Sequence, residues 1–385
     1  MTFRTRLKIF TGSVRRRISA TLRRAQPGRR RRPEISFDAE PWTIDALDVR
    51  PGRLQISGWA LPPTEHPEQA RFLWNGRRFA DQAYPIHRPD LGEFFPQRAD
   101  SALSGFHCGQ SGDPGDDWFD DGCLHLRFEF DGQRLCYPFQ HDWFYPDDRG
   151  YPALPDPDRM LRVIGATSTT QFRLGGFTDF NKFERLLGAI GAGDLGSRRR
   201  RILDWGVGCG RVARYYSAVP GIEFCGVDID ADNVEWCARN LPGRYLKVPL
   251  RPPAPFDAAS FDLIYGISVL THLNERDQRA WLDELHRIAA PGAIVLLSFH
   301  GRTAGIYSGL PLPDLDAYLD AVARDGFVMT GVNNQIRDFI DERDYYVDAS
   351  HSDAYVRRVW GEYFEVVDTV PGMTATHDLA VLRKR

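Results

Sequence analysis

Three glycines at alternate positions, Gly206, Gly208 and Gly210, follow an acid, Asp204, and a second acid, Asp228, stands 18 residues beyond the last of them. Glycine lets a chain turn sharply and approach a ligand with no Cβ in the way. A helix that starts directly after such a turn faces the ligand with its unpaired backbone N–H groups. A carboxylate at the end of the next strand can accept both hydroxyls of a ribose. The set therefore points to a nucleoside-bearing cofactor. Farther along, His272 and His300 each follow an apolar, strand-like run. A histidine at such a place can exchange a proton near neutral pH.

The elements that must hold these residues surround them. Ile202 and Leu203 begin a short apolar run, and Val212, Ala213 and Tyr216 fall at helical spacing. A second apolar run, Ile222 to Val227, ends on Asp228. Strand, glycine turn, helix, strand and acid open a doubly wound α/β domain. Two cofactors fit this outline. A dinucleotide fingerprint, G-x-G-x-x-G, needs its third glycine at position 211, which is Arg211. A pyrophosphate needs that wider loop, and a sulfonium nucleoside without phosphate does not.

The stretch D-W-G-V-G-C-G-R, Asp204 to Arg211, resembles the first motif of class I S-adenosylmethionine-dependent methyltransferases, D/E-x-G-x-G-x-G. Further marks resemble one group within that family: Trp236-Cys237, SVLTHL from Ser268 to Leu273, WLDEL from Trp281 to Leu285, Pro291-Gly292 and His300-Gly301. The likeness spans residues 161–300 and 353–385. Trp205, Val207 and Cys209 depart from the commoner residues, and Ala290-Pro291-Gly292-Ala293 stands where Pro-Gly-Gly is usual. Neither departure removes a glycine of the triplet or an acid.

The resemblance implies S-adenosyl-L-methionine as cofactor. It assigns Asp204 to positioning the loop, and Gly206, Gly208 and Gly210 to the underside of the methionyl part. Asp228 holds the ribose, Ile229 packs on the adenine, and Tyr265, Gly266 and Ile267 lie at the methionyl side. For a hydroxyl acceptor, His272 is the first candidate for general base and His300 the second; bracing a loop is the alternative role for each. Displacement at a sulfonium methyl releases a neutral thioether, so no metal ligand set is expected.

The rest of the α/β part follows in order. A helix is expected over Ala231–Leu241, a third strand over Arg244–Val248, a fourth over Phe261–Ser268, a helix from Asn274 and a fifth strand over Ala293–Phe299. Phe364–Val370 and Asp378–Arg383 read as a terminal antiparallel pair joined through Pro371-Gly372. Such a pair is expected of class I methyltransferases, whereas a nicotinamide enzyme needs more parallel βα units. Residues 300–362 interrupt the order with a helix around Leu315–Val322 and an aromatic, acidic stretch through Tyr345-Tyr346 to Trp360, an insertion placed to line an acceptor cleft.

Upstream, residues 34–147 read as an antiparallel β-sandwich. Runs at Thr43–Val49, Arg53–Ala60, Ala70–Trp74, Leu124–Phe130 and Leu135–Phe139 are split by Pro51-Gly52, Asn75-Gly76 and Asp131-Gly132. Trp42, Trp59, Trp74, Trp118 and Trp143 read first as sandwich core and second as a sugar-stacking platform. LQISGWAL (Leu54–Leu61), His87-Arg88-Pro89-Asp90 and Ser104-Gly105-Phe106 resemble a β-sandwich module found beside bacterial surface-glycan enzymes. Residues 148–160, with Pro152, Pro155 and Pro157, read as a linker to an α/β domain over 161–385 whose leading helix, with Phe177, Phe180, Phe183 and Leu186, covers the cofactor cleft or packs on the sheet edge.

The 385 residues carry a net charge of −3, unevenly spread. Residues 1–33 hold twelve Lys and Arg and no acid; the remainder, with 37 basic and 52 acidic residues, stands at −15. That body is an unlikely partner for nucleic acid. In the head, Leu7, Phe10, Val14, Ile18 and Leu22 share a helical face, which suits an anionic membrane surface; a solvated tail and a targeting segment are the other readings. Six cysteines with no C-x-x-C pair and no signal peptide point to the cytoplasm, with peripheral contact at the membrane's inner face if the head binds there. The fold class expected is therefore an α/β, Rossmann-like methyltransferase sheet with a C-terminal antiparallel hairpin, preceded by an all-β sandwich. The leading function is methylation of an oxygen on a glycan or glycolipid-related acceptor. A small-metabolite methyltransferase, an NAD-dependent oxidoreductase and a non-catalytic scaffold are the alternatives.

Overall fold

The computed structural model describes residues 42–61, 67–98, 100–113, 117–130, 134–147, 149–193, 200–332, 342, 345–374 and 376–385. The basic head and the Asp131-Gly132 turn lie outside them. The N-terminal part holds β1 (Trp42–Arg50), β2 (Arg53–Ala60), β3 (Arg71–Trp74), β4 (Arg77–Arg78), β5 (Asp81–Ile86), the short helix α1 (Pro89–Phe94), β6 (Gly105–Ser111), β7 (Cys123–Glu129) and β8 (Trp143–Pro146). They form two antiparallel sheets, ordered β1-β2-β6-β5 and β4-β3-β7-β8. Alternation places Leu54 and Ile56 of one sheet against Leu124, Leu126 and Phe128 of the other. Phe72 and Phe106 close the space between, with ring centres 4.3 Å apart.

Trp42, Trp59, Trp74 and Trp118 are buried, so the aromatic density is core. Asn75 (φ 43°) and Gly76 (φ 75°) turn the β3–β4 hairpin with both central residues left-handed, as a two-residue turn between twisted strands requires. The HRPD motif also acts structurally: the Arg88 guanidinium bridges Asp45 (2.9 Å) and Asp90 (2.8 Å) beside Gly105. Leu135–Phe139 is not a strand. The chain there makes turns, and β8 takes the place beside β7, because Gln140 is drawn off to the backbone of Cys136 and Pro371.

The second part holds α2 (Pro157–Ile164), α3 (Thr169–Ala189), β9 (Arg200–Trp205), α4 (Ala213–Tyr216), β10 (Ile222–Asp228), α5 (Ala231–Asn240), β11 (Arg244–Lys247), β12 (Phe261–Gly266), α6 (Glu275–Ile288), β13 (Ala289–Phe299), α7 (Arg302–Ile306), α8 (Leu312–Asp325), β14 (Phe327–Val332), β15 (Val347–His351), α9 (Asp353–Val359), β16 (Glu365–Thr374) and β17 (His377–Arg383). Seven strands form one sheet, β11-β10-β9-β12-β13-β17-β16, in which β17 alone runs against its neighbours. This is the class I methyltransferase sheet with its terminal antiparallel hairpin. The central strands are apolar on both faces because helices cover both, as Leu263, Ile264, Leu296 and Leu297 illustrate. Asp230 caps α5 and Asn274 caps α6, each accepting a backbone N–H at 2.9 Å.

Several boundaries differ from expectation: β13 begins at Ala289 rather than Ala293, and β12 ends at Gly266 rather than Ser268. Pro157 opens α2 behind an Asp156 cap, so the end of the expected linker is helical. Pro371-Gly372 lies within β16, where Gly372 (φ 61°) accompanies a register shift, and the chain reverses only after Thr374. The insertion contributes a small sheet of its own, β14 paired with β15.

The two parts share α3. Leu174 enters the sandwich core, while Phe183, Leu186 and Leu187 enter the core of the large sheet. Thr178 bonds both backbone groups of Phe144 in β8, and Gln171 donates to the Ile44 carbonyl at 2.6 Å. A second contact packs Trp59 and Phe95 against Tyr307. Between α3, β8 and β16 lies the buried Lys182, whose ammonium donates to the Met373 carbonyl (3.3 Å) and faces the Trp143 ring.

Burial lowers the Lys182 ammonium to about 8, against the nearby charges of Asp179 and Asp142, from an ordinary value of 10.5. The unfolded chain therefore binds this proton more tightly, and stability rises with pH between about 8 and 10.5. Lys182→Met, which keeps the stem and removes the charge, should raise the melting temperature at pH 7, with the advantage shrinking across that window. Thermal melts of both proteins at stepped pH check it; a mutant less stable at pH 7 would show that the charge stabilises.

Candidate active site

The glycine loop leaves β9 at Trp205 and is tied to β10. Gly206 N–H and Val207 N–H both donate to the Val227 carbonyl, at 2.8 and 2.9 Å. Gly208 N–H donates to one Asp228 oxygen at 2.7 Å, and Asp230 N–H donates to the other at 2.9 Å. Gly206, Gly208 and Gly210 all have positive φ (85°, 50° and 77°). At Gly206 and Gly210 a side chain would also overlap Val269 and Leu241, so two requirements select glycine. The loop and both ends of the β9–β10 pair are thus one hydrogen-bonded unit.

Asp204 is buried at the end of β9, in register with Tyr265 of β12. Burial pushes its carboxyl up to about 8, with the Tyr265 hydroxyl opposing and the Asp228 charge adding to the rise. Asp228 is also raised, first by desolvation, while the backbone donors of Asp230 and Gly208 pull the other way. Its two backbone bonds occupy one lone pair on each oxygen, which leaves acceptor capacity for hydroxyl donors. Ile229 is partly exposed beside it.

Two elements cover this unit. Val163 of α2 sits over Gly208, 3.0 Å from where a Cβ would stand. Arg159 and Arg162 of the same helix pair with Asp232 at the start of α5, at 2.5 and 2.6 Å. Arg211 is held by the buried Asp179 of α3 at 2.7 Å. A guanidinium so engaged is not offered to a pyrophosphate. The loop therefore fits a phosphate-free nucleoside.

The fourth strand ends differently from expectation in one respect. The Tyr265 ring is fully buried between Phe183 and Tyr216, with centres 5.7 and 5.4 Å away, so its side chain belongs to the core. Gly266 is buried against Trp205, and Ile267 is partly exposed.

His272 and His300 come together at the carboxyl edge of β12 and β13, with ring centres 6.0 Å apart. Three further groups complete the cluster: Tyr346 and Asp348 come from the insertion expected to line the acceptor cleft, and His377 is the one that sequence reading missed. His377, at the start of β17, meets His300 with Nε2 atoms 3.1 Å apart, and its Nδ1 lies 3.3 Å from the Ser298 hydroxyl. Tyr346 stacks on His272 at 4.3 Å. Asp348 reaches to 3.5 Å from His272 Nδ1. No local pattern marks His377; it joins the site only because β17 runs antiparallel, which brings its first residue to the edge where β13 ends. His300 is held well below the ordinary histidine range by burial and by the neighbouring imidazoles, and burial takes His377 down to about 3. Both are neutral at physiological pH. The His272 side chain keeps 12% exposure and His377 is also partly exposed, whereas His300 is buried. Among the described residues no group of three His, Cys, Asp or Glu is placed to hold a metal ion.

Comparison with known proteins places this region. Residues 202–292 match the family model described as "Methyltransferase domain". Among solved structures the chain is similar to a SAM-dependent methyltransferase from Methanosarcina mazei, at 15% identity over 49% of this chain and 93% of that one, with TM-score 0.37. It is similar also to magnesium protoporphyrin IX methyltransferase from Synechocystis, solved with bound SAH, at 17% identity over 59% and 94%, TM-score 0.39. A third is a SAM dependent methyltransferase from Aquifex aeolicus, at 14% identity over 60% and 100%, TM-score 0.39.

The raised Asp204 carboxyl has a measurable consequence. The folded chain binds this proton more tightly than the unfolded chain, so its stabilisation is complete below about 4 and is lost as pH rises to about 8. Asp204→Asn should therefore gain stability relative to the parent across pH 4 to 8, with a constant difference above. Paired ligand-free melts check the sign; a difference that does not grow with pH would show that Asp204 folds ionised.

Proposed function

We propose that the protein is an S-adenosylmethionine-dependent methyltransferase that methylates a hydroxyl oxygen of a glycan or glycolipid-related acceptor. The observation that carries the first part is the unit built from Gly206, Gly208, Gly210 and Asp228, lying within the stretch that matches the methyltransferase family model. The glycan acceptor is supported by the sandwich motifs' resemblance to modules of surface-glycan enzymes. Bound S-adenosylmethionine would supply a methyl group on a sulfonium, whose departure as a thioether needs no metal.

The chain's own residues do the rest. Asp228 would accept the ribose hydroxyls, and Ile229 would pack on the base. The glycine backbone, free of side chains, would lie close beneath the methionyl part. Asp204, protonated and buried, sits at the base of the loop against Tyr265 without adding charge. His272 would serve as the base at Nε2, and the neutral His300–His377 pair keeps that region free of competing positive charge. Holding acceptor oxygen and methyl carbon aligned is the larger part of the work, and the base adds to it. The basic head would bring the enzyme to an anionic membrane surface, where glycolipid acceptors reside.

Calorimetry tests the cofactor. S-adenosylmethionine and S-adenosylhomocysteine should bind and NAD should not. Asp228→Asn should weaken binding by on the order of tenfold to a hundredfold, as expected for loss of hydrogen bonds to a charged group. Unchanged affinity removes the ribose assignment, and selective binding of NAD overturns the reading. For the acceptor, mass spectrometry of surface glycans from cells with and without the protein should reveal a difference of one methyl group; identical glycans remove that class.

A further inference from the structure

Ser268 adopts φ 61°, in the left-handed region where a side chain costs energy and glycine does not. Among the described residues the other non-glycine positions of this kind are Asn75, Asp121 and Ala259. Asn75 and Asp121 belong to types that tolerate the region, and Ala259 lies in a turn at the opposite end of β12. Ser268 is the one at the carboxyl edge of the sheet, directly after the β12 strand. The conformation is held by its N–H, which donates to the Ser298 hydroxyl at 2.7 Å. It aims the Ser268 hydroxyl at His272, with Oγ 3.2 Å from Nε2.

The protons can be assigned from the partners. His272 Nδ1 lies 3.2 Å from the Val347 carbonyl, which can only accept, so Nδ1 carries the hydrogen. Nε2 is then the acceptor, and the Ser268 hydroxyl donates to it. Thr271 Oγ1, 3.2 Å from Ser268 Oγ, can donate to Ser268 in turn. On the far side of the ring stands the buried carboxylate of Asp348, 3.5 Å from Nδ1. A strained serine, an imidazole with one tautomer and an acid behind it are therefore in line, beside the glycine loop that Val269 overhangs.

Resting on the methyl-transfer reading, we infer that Ser268 is the group that touches the acceptor hydroxyl and relays its proton to His272, with Asp348 as a positioning residue that holds the ring. In the step, an acceptor oxygen lone pair forms the O–CH3 bond while the S–CH3 bonding pair stays on sulfur. The acceptor proton passes to Ser268 Oγ as the Ser268 proton passes to His272 Nε2. The imidazolium so formed lies against Asp348 and later loses its proton to solvent. The charges facing His272 are those of Asp348 from β15 and, when protonated, His300 just past β13 and His377 from β17; Tyr346 is stacked on it, Asp228 acts on Tyr346, and Arg211 acts on His377. The acceptor this site takes is a neutral hydroxyl, since a carboxylate would bring no proton to relay.

Ser268→Gly is the informative variant. It removes the hydroxyl and relieves the backbone, so its melting temperature should equal or exceed the parent's. Three measurements on the full chain decide the matter. Calorimetry with S-adenosylmethionine tests the underlying reading: no binding by the parent protein sinks methyl transfer itself. Nitrogen-15 NMR of histidine-labelled protein saturated with S-adenosylhomocysteine tests the relay alone. His272 should show the Nδ1–H tautomer, held by the Val347 carbonyl; its Nε2 resonance should move in Ser268→Gly, and its Nδ1 resonance should move in Asp348→Asn. An Nε2–H tautomer in the parent, or spectra unchanged in both variants, overturns the relay even if cofactor binds. Turnover with radiolabelled methyl donor and glycans extracted from cells lacking the protein should fall on the order of a hundredfold in Ser268→Gly at unchanged KM for the donor. In Asp348→Asn the acid limb of the pH–rate profile should shift to lower pH. Equal turnover by parent and Ser268→Gly removes Ser268 from the chemistry.

Discussion

The site depends on one carboxylate satisfying backbone that nothing else can satisfy. A glycine loop at the end of a buried strand has no regular ladder for its N–H groups, and an unpaired one is costly away from water. Asp228 takes the N–H of Gly208 at 2.7 Å on one oxygen and that of Asp230 on the other. The same side chain therefore fixes the loop's path and presents the sheet's acid to the cleft. That is why the acid must lie on β10, the strand beside β9, and why both strands must be parallel and in register. The two acids then divide by environment. Asp204, sunk among Tyr216 and Tyr265, keeps its proton, while Asp228 sits at the rim among donors.

Burial also sorts the histidines. His300 and His377 face each other at the sheet edge, and both are uncharged because the ring would be desolvated as a cation. The insertion supplies what the core sheet lacks. Its β15 brings the Val347 carbonyl, which sets the His272 tautomer, and Asp348 behind the ring.

The central strands of the large sheet were legible because parallel strands covered on both faces are written as apolar runs, and β9, β10 and β12 end at or beside a marked residue: Asp204, Asp228 and Gly266. His272 and His300 were legible for the same reason, since a residue just past a strand's carboxyl end must reach the cleft. His377 was not, because it precedes its strand and belongs to the site only through the reversal of β17. Ser268 was visible only as part of a motif; its φ value follows from Ser298, 30 residues away, which no local reading supplies. Leu135–Phe139 shows the opposite failure. Its apolar residues are real anchors, with Phe139 buried in the core of the large sheet, but they serve the contact between the two parts. Apolar alternation reports burial, not the partner that provides it.

That contact changes what the sandwich can do. A binding module on a flexible tether raises local acceptor concentration but cannot orient it. Here α3 is a helix of 21 residues with one end in each core, so the sandwich is continuous with the wall of the cofactor site. Asp179 and Lys182 lie on this helix three residues apart, and Asp179 is paired with Arg211 of the glycine loop at 2.7 Å. Any displacement of the sandwich along α3 would pull on that ion pair, and through it on the helix start that follows Gly210. Trp59 and Phe95 complete the linkage from the other side, packing on Tyr307 only seven residues after His300. The sandwich therefore meets the second part in two places, the glycine loop through α3 and, through Tyr307 after α7, the segment that follows His300. An acceptor held on this sandwich would be presented in a fixed orientation, which is the condition that in-line transfer to an oxygen imposes.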